Sequence, residues 1–98
     1  MDKVMTLLTV RPPRVNDVIG VALSMGAEVL SVEHVVGLER SAFGMLPAPY
    51  DRICVETSRR AHKETLEGMI EAARSGCEGD GKVMVMTAVV EETGDERG

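Results

Sequence analysis

Residues 76–84 read Gly-Cys-Glu-Gly-Asp-Gly-Lys-Val-Met, and they join a helical pattern to the last strand pattern of the chain. The three glycines leave backbone N–H groups uncovered, because glycine carries no side chain. Neighbouring N–H groups that turn the same way form a concavity that binds anions, and Lys82 adds a positive charge beside it. The stretch therefore predicts a phosphate-binding loop between a helix and a strand, with a plain glycine-rich turn as the alternative.

The patterns on either side of this loop predict one helix and one strand. The helix is predicted over residues 58–75, with Ser58 as its N-cap and Gly76 at its end. Its apolar face carries side chains at helical spacing, namely His62, Leu66, Met69, Ile70 and Ala73. The last strand is predicted over residues 83–90 and is apolar on both of its faces.

The first half of the chain shows the same order of patterns. A β-branched run predicts a strand over residues 4–10, and the apolar spacing that follows predicts a helix from Val15 to a stop at Gly26. Alternating side chains predict a second strand over 30–37 and a third over 52–57. The order predicts an α+β, ferredoxin-like βαββαβ domain, in which an antiparallel sheet carries both helices on one face.

Residues 39–51, between the second and third strands, show no sustained period and contain Gly44, Pro47 and Pro49. This composition predicts a loop without regular structure, and loops of that length in compact domains are often functional. Its apolar tip and the tyrosine at its end are candidate contacts to a partner protein: Phe43, Met45, Leu46 and Tyr50. Packing of the tip against its own subunit is the equal alternative.

The predicted sheet has one face that neither helix covers. Because the last strand is apolar on both faces, that open face needs a covering partner. We therefore expect a homo-oligomer that packs sheet against sheet, with ligand clefts between its subunits.

Composition narrows the functional classes. The chain has 98 residues, a net charge of −5 and no basic cluster, which disfavours nucleic acid and anionic membranes as partners. Its apolar runs fall short of the roughly 20 residues that a membrane-spanning helix needs, so we expect a cytoplasmic protein without direct membrane insertion.

Cys54 and Cys77 lack metal-ligand spacing, and no nucleophile with a paired base is recognisable. We expect neither a metal site nor an enzyme.

Three segments carry a resemblance to the PII-type nitrogen-regulatory signalling proteins. Residues 73–83, Ala-Arg-Ser-Gly-Cys-Glu-Gly-Asp-Gly-Lys-Val, resemble the phosphate-binding B-loop of that family, Ala-Arg-Thr-Gly-x-Ile-Gly-Asp-Gly-Lys-Ile. Residues 11–14, Arg-Pro-Pro-Arg, resemble its Arg/Lys-Pro-Phe-Lys, and residues 37–40, Gly-Leu-Glu-Arg, resemble the Gly-Phe-Gly-Arg that opens its T-loop. The resemblance covers nearly the whole chain as one domain, residues 1–98, with a T-loop at about 39–51, a B-loop at about 75–82 and a flexible tail at about 91–98.

The resemblance implies a homotrimer of ferredoxin-like subunits that binds adenine nucleotides in its inter-subunit clefts and regulates a transporter or metabolic enzyme. It implies no required cofactor, with AMP, ADP or ATP as the ligand. When the family's binding residues are matched to this sequence by position, the residues that would cradle phosphates are Gly79, Asp80, Gly81 and Lys82. Ser31 would contact adenine, and Gly37 and Arg40 would flank the phosphates.

The sequence also departs from this family. The T-loop is about half the usual length, and Ser41 replaces the glutamine that follows the Gly-Phe-Gly-Arg. Glu56 replaces a valine, and acidic residues over 91–96 replace the late arginine pair. Carboxylates near a polyphosphate repel it, so ATP affinity is expected to be weak. A shorter phosphate chain, such as AMP or ADP, or a different small ligand altogether, is compatible with these changes. The alternative is a PII-derived structural or interaction module that no longer binds nucleotide.

Overall fold

Residues 3–74 and 84–90 are described in the computed structural model of the chain. The element bounds are β1 Lys3–Val10, α1 Val15–Ser24, β2 Glu28–Ser41, β3 Gly44–Ser58, α2 His62–Arg74 and β4 Met84–Val90, with a short 3₁₀ turn at Pro12–Arg14. Neither α1 nor α2, the helices within the described ranges, is long and apolar enough to cross a membrane.

The four strands form one antiparallel sheet in the order β2-β3-β1-β4. Strands β1 and β3 lie in the centre, with Lys3 opposite Ser58 and Val10 opposite Asp51. Strand β4 pairs with the other side of β1, and Met84 lies opposite Thr9. This topology confirms the predicted ferredoxin-like α+β fold.

The core lies between the sheet and the helices. Strand β1 alternates buried and half-buried side chains, because successive residues point to opposite faces of a sheet. The helix-facing strand residues and their helical partners form one buried cluster that includes Leu8, Val10, Ile53, Val55, Val18, Ala22, Met69 and Ala73. On the open face of the sheet, Met5, Leu7 and Thr9 of β1 remain half-buried.

Both helices end close to their predicted positions, but α2 begins later than its N-cap signal indicated. Ser58 Oγ accepts a hydrogen bond from the Ala61 N–H at 3.2 Å, so the side chain stabilises a turn that precedes the helix. Helix α2 then begins at His62. Helix α1 ends at Ser24, and Gly26 follows with a φ of 85°, the conformation that a glycine stop supplies.

The prediction of an irregular loop over residues 39–51 is wrong. Strands β2 and β3 continue to Ser41 and Gly44, which pair with each other across a two-residue turn. In the turn, Ser41 Oγ accepts from the Phe43 N–H and donates to the Gly44 carbonyl, both at 3.0 Å. These residues are the distal part of a long β-hairpin.

The two prolines explain why the sequence suggested a loop there. Pro47 and Pro49 are two residues apart, so their nitrogens lie on the same edge of β3. Strand β1 pairs with β3 only as far as Asp51, so beyond that point β2 is the one neighbour of β3 among the described strands. A proline whose nitrogen lies on an edge without a neighbouring strand removes no ladder hydrogen bond.

Candidate ligand and partner sites around the hairpin

The residues that carry the predicted phosphate loop lie outside the described part of the chain. They are Gly79, Asp80, Gly81 and Lys82, and the tail at 91–98 also lies outside it. The structure describes the strand that follows the loop, which starts at Met84 opposite Thr9. It also describes the three predicted ligand residues on β2.

Those three residues, Ser31, Gly37 and Arg40, lie along one strand. Ser31 is opposite Cys54, Gly37 is opposite Ala48, and Arg40 is opposite Met45. Ser31 and Gly37 are six residues apart and share the open face of the sheet, about 20 Å from each other at strand spacing. Arg40 has the other parity and points to the opposite face. The hairpin therefore brings Gly37 near the end of β1 but does not gather the three side chains into one cluster.

A bulge in β2 sets the face on which Ser31 lies. The register shifts between Val29 and Ser31, since Val29 pairs with Val55 and Ser31 pairs with the next residue, Cys54. Leu30 is the extra residue and is exposed. The bulge keeps Val29 packed against the core while it turns Ser31 to the open face.

Gly37 packs directly on the ring of Tyr50. A Cβ built at Gly37 would lie 2.5 Å from Tyr50 Cδ2 and 2.6 Å from Cε2, closer than real Cβ contacts. Tyr50, which the sequence placed among the candidate partner contacts, is buried and faces its own subunit. The missing side chain at Gly37 therefore makes room for this ring.

Arg11, Glu39 and Tyr50 form a polar cluster that the sequence did not predict. Arg11 Nη2 donates to Glu39 Oε2, and the Tyr50 hydroxyl donates to the same oxygen. The Arg11 guanidinium carbon also lies 4.8 Å from the centroid of the Tyr50 ring, within cation–π range. The Arg11 and Glu39 side chains keep 21% and 29% of their surface exposed. We name these three residues the basal cluster.

The basal cluster joins distant parts of the chain, which is why sequence reasoning missed it. Arg11 follows β1, Glu39 lies near the end of β2 and Tyr50 lies on β3, and Arg11 and Glu39 are 28 positions apart in the sequence. The available signals were the arginine in the Arg-Pro-Pro-Arg segment and the glutamate at a position where the resembling family has glycine. Chemically, the cluster pairs a carboxylate with a guanidinium, a group that binds phosphate by the same kind of charge-assisted hydrogen bond.

Two clefts open on either side of the hairpin base. The open-face cleft has a volume of about 460 Å³, and its lining includes Leu7, Thr9, Gly37 and Arg52. The helix-side cleft has a volume of about 600 Å³ and is mainly apolar, with Pro12, Pro47 and Pro49 in its lining.

His34 and Asp51 form a polar contact in the helix-side cleft, whose lining also includes Tyr50. His34 Nδ1 contacts Asp51 Oδ1, and the carboxylate is buried while the imidazole is 93% exposed. The described residues contain no group of three or more His, Cys, Asp or Glu side chains placed to hold a metal ion. The contact with Asp51 therefore orients the exposed imidazole of His34 and does not form part of a metal site within the described residues.

The distal hairpin presents apolar side chains to solvent. Phe43 in the turn is 89% exposed, and Met45 and Leu46 beside it are also exposed. On the helix-side face, Val36 and Leu38 are 75% and 61% exposed and lie opposite the two prolines of β3. The tip residues predicted as partner contacts are thus accessible, whereas Tyr50 is not.

Comparisons with known proteins support the fold. No family model matches the chain, and no curated protein matches it. The structure of Arabidopsis thaliana PII bound to citrate is similar, with a TM-score of 0.65 and 25% identity over 86% of this chain and 72% of that one. A Bacillus cereus protein related to NIF3 is similar with a TM-score of 0.75 and 10% identity, over 92% of this chain but only 25% of the other. The chain thus spans about a quarter of that protein. It has a PII-like ferredoxin fold.

Proposed function

We propose that this chain is a PII-like regulatory protein without catalytic activity. In this proposal, a homotrimer binds a small anionic ligand, an adenine nucleotide, in clefts between its subunits, and it regulates a transporter or a metabolic enzyme in the cytoplasm. The observation that carries the proposal is the likeness to a PII structure over most of the chain. The Gly-Asp-Gly-Lys sequence at 79–82 supports a phosphate-bearing ligand.

The start of β4 supports placing the ligand beside the hairpin base. Lys82 precedes Met84 by two residues, so covalent geometry keeps their Cα atoms within about 7.6 Å. Met84 pairs with Thr9, and Thr9 lines the open-face cleft together with Gly37. A phosphate held near Lys82 would thus lie at the sheet end that also carries Arg11.

The half-buried open face supports the homotrimer. Met5 and Leu7 of β1 lie on a face that neither α1 nor α2 covers, and burying such side chains between subunits is favourable by about 25 cal/mol per Å². The open-face cleft would then lie close to a neighbouring subunit. This placement agrees with ligand sites between subunits.

Calorimetry and light scattering test the proposal together. We expect a trimer in solution that binds AMP or ADP more tightly than ATP, because acidic residues at 91–96 disfavour a longer phosphate chain. The ligand series includes cyclic nucleotides, bicarbonate and citrate, the anion held by the Arabidopsis protein. A folded trimer that binds none of these ligands would contradict the proposal.

Lys82→Ala is expected to weaken nucleotide binding. The loss of one charge-assisted hydrogen bond costs about 1.5 to 3 kcal/mol, which is about 10- to 100-fold in affinity by calorimetry. Lys63→Ala, an exposed lysine on α2, is the matched control and should leave the affinity unchanged. Equal affinities of the two variants would place the ligand away from Lys82.

The second candidate function is an interaction module that has lost nucleotide binding. The exposed apolar side chains of the distal hairpin, Phe43 above all, favour it because large apolar surfaces of this kind mark protein contacts. In that case the trimer would bind no nucleotide, and Phe43→Ser would abolish binding to its protein partner. Nucleotide binding that survives Phe43→Ser supports the first proposal instead.

A further inference from the structure

The basal cluster already contains an anion. The Glu39 carboxylate accepts a hydrogen bond from the Arg11 guanidinium, and the Tyr50 hydroxyl donates to the same carboxylate oxygen. A carboxylate and a phosphate recognise arginine by the same charge-assisted hydrogen bonds. An incoming anion at Arg11 and the Glu39 side chain therefore need the same donors.

We propose that Glu39 is an internal competitor for the ligand, so that the anion binds Arg11 only by displacing the Glu39 carboxylate. The inference rests on the proposed function, in that it takes a small phosphate-bearing anion as the ligand. It adds Arg11 to the binding residues and gives Glu39 an autoinhibitory role.

The position of Arg11 allows an external anion to reach it. Arg11 continues β1 two residues beyond Thr9 and so lies on the same face as Thr9, which lines the open-face cleft. Its side chain keeps 21% of its surface exposed. The guanidinium is thus partly exposed at the end of the sheet where β4 begins.

Displacement of Glu39 would change the hairpin, because the carboxylate connects three elements. It links the segment after β1 to β2 through Arg11, and it links β2 to β3 through the Tyr50 hydroxyl. A ligand that binds Arg11 breaks the first link, and the released Glu39 carboxylate also leaves the Tyr50 hydroxyl, because both contacts use the same oxygen. The state with Glu39 released binds the anion better than the closed state, and this difference in affinity couples occupancy to the hairpin.

Glu39→Gln tests the competition directly. We expect this variant to bind ADP and inorganic pyrophosphate about tenfold more tightly than the wild type by calorimetry, since a neutral amide competes poorly for a guanidinium. Glu28→Gln removes the same charge from the exposed start of β2 and is the matched control, with an expected change below about twofold at moderate salt. If Glu39→Gln does not fold, Glu39→Asp, which shortens the same side chain, should also bind both anions more tightly.

Tyrosine fluorescence supplies a second measurement. Tyr50 is the sole tyrosine and the chain has no tryptophan, so the signal reports on this ring alone. Titration of the wild type with ADP should change the emission as Glu39 leaves the hydroxyl, and Glu39→Gln should lose that change while it still binds. Binding without any change in emission would contradict displacement.

The calorimetric outcomes separate the inference from the function on which it rests. If the wild type binds ADP and Glu39→Gln binds it no more tightly, the function stands and the competition is wrong. If the wild type binds nothing and Glu39→Gln binds pyrophosphate, the competition stands and the proposed function fails. If neither protein binds, or if Glu28→Gln gains as much as Glu39→Gln, the competition is overturned.

Discussion

At the scale of single residues, Gly37 has a packing role that stands apart from any ligand. A methyl group there would meet the Tyr50 ring at 2.5 Å, so Gly37→Ala should destabilise the fold by about 1 to 3 kcal/mol, the usual cost of overpacking. Gly20→Ala, at a position in α1 with nothing within 4 Å, is the control and should stabilise it by about 0.5 to 1 kcal/mol. Urea denaturation measures both. A Gly37→Ala protein as stable as the wild type would show that the Tyr50 ring shifts without cost to make room for the methyl group.

At the scale of elements, the β2–β3 hairpin is supported unevenly along its length. Residues 52–57 of β3 have a neighbouring strand on each side, whereas residues 44–50 pair with β2 alone within the described part of the chain. Because local opening is easier where fewer strands and apolar contacts oppose it, backbone amides of 39–46 should exchange about tenfold or more faster than those of 52–57. Hydrogen exchange of the ligand-free protein measures this. Equal protection would mean that a neighbouring subunit covers the hairpin.

At the scale of the whole molecule, the open face of the sheet decides assembly. Leu7 lies near the centre of that face, so Leu7→Lys should convert the proposed trimer into a folded monomer, because a buried lysine without a partner is costly. Leu23→Lys, on the exposed side of α1 where the leucine is 57% exposed, is the control and should leave the trimer intact. Light scattering distinguishes the two states, and circular dichroism confirms folding. A trimeric Leu7→Lys protein would place the interface elsewhere.

The order of the elements was predictable because each has its own local signal. The strand of residues 4–10 is β-branched, and Gly26 stops α1 with a positive φ. The hairpin was not predictable, since Pro47 and Pro49 signal a loop unless one knows that none of the other described strands pairs with their edge of β3. The basal cluster was missed for a related reason: the sheet register, which no local pattern encodes, brings Glu39 to Arg11.

The bulge at Leu30 determines where β2 tolerates a change in length. Losing Leu30 would leave Val29 opposite Val55 and Ser31 opposite Cys54, so every pair out to the turn would survive. Losing a residue at any point between the bulge and Glu39 would instead move every later side chain of β2 to the opposite face of the sheet. Arg40 would then come to the face that Glu39 now occupies, and Arg11 would meet a second cation in place of a carboxylate. Related chains should therefore differ in length at position 30 and not at the nine positions that follow.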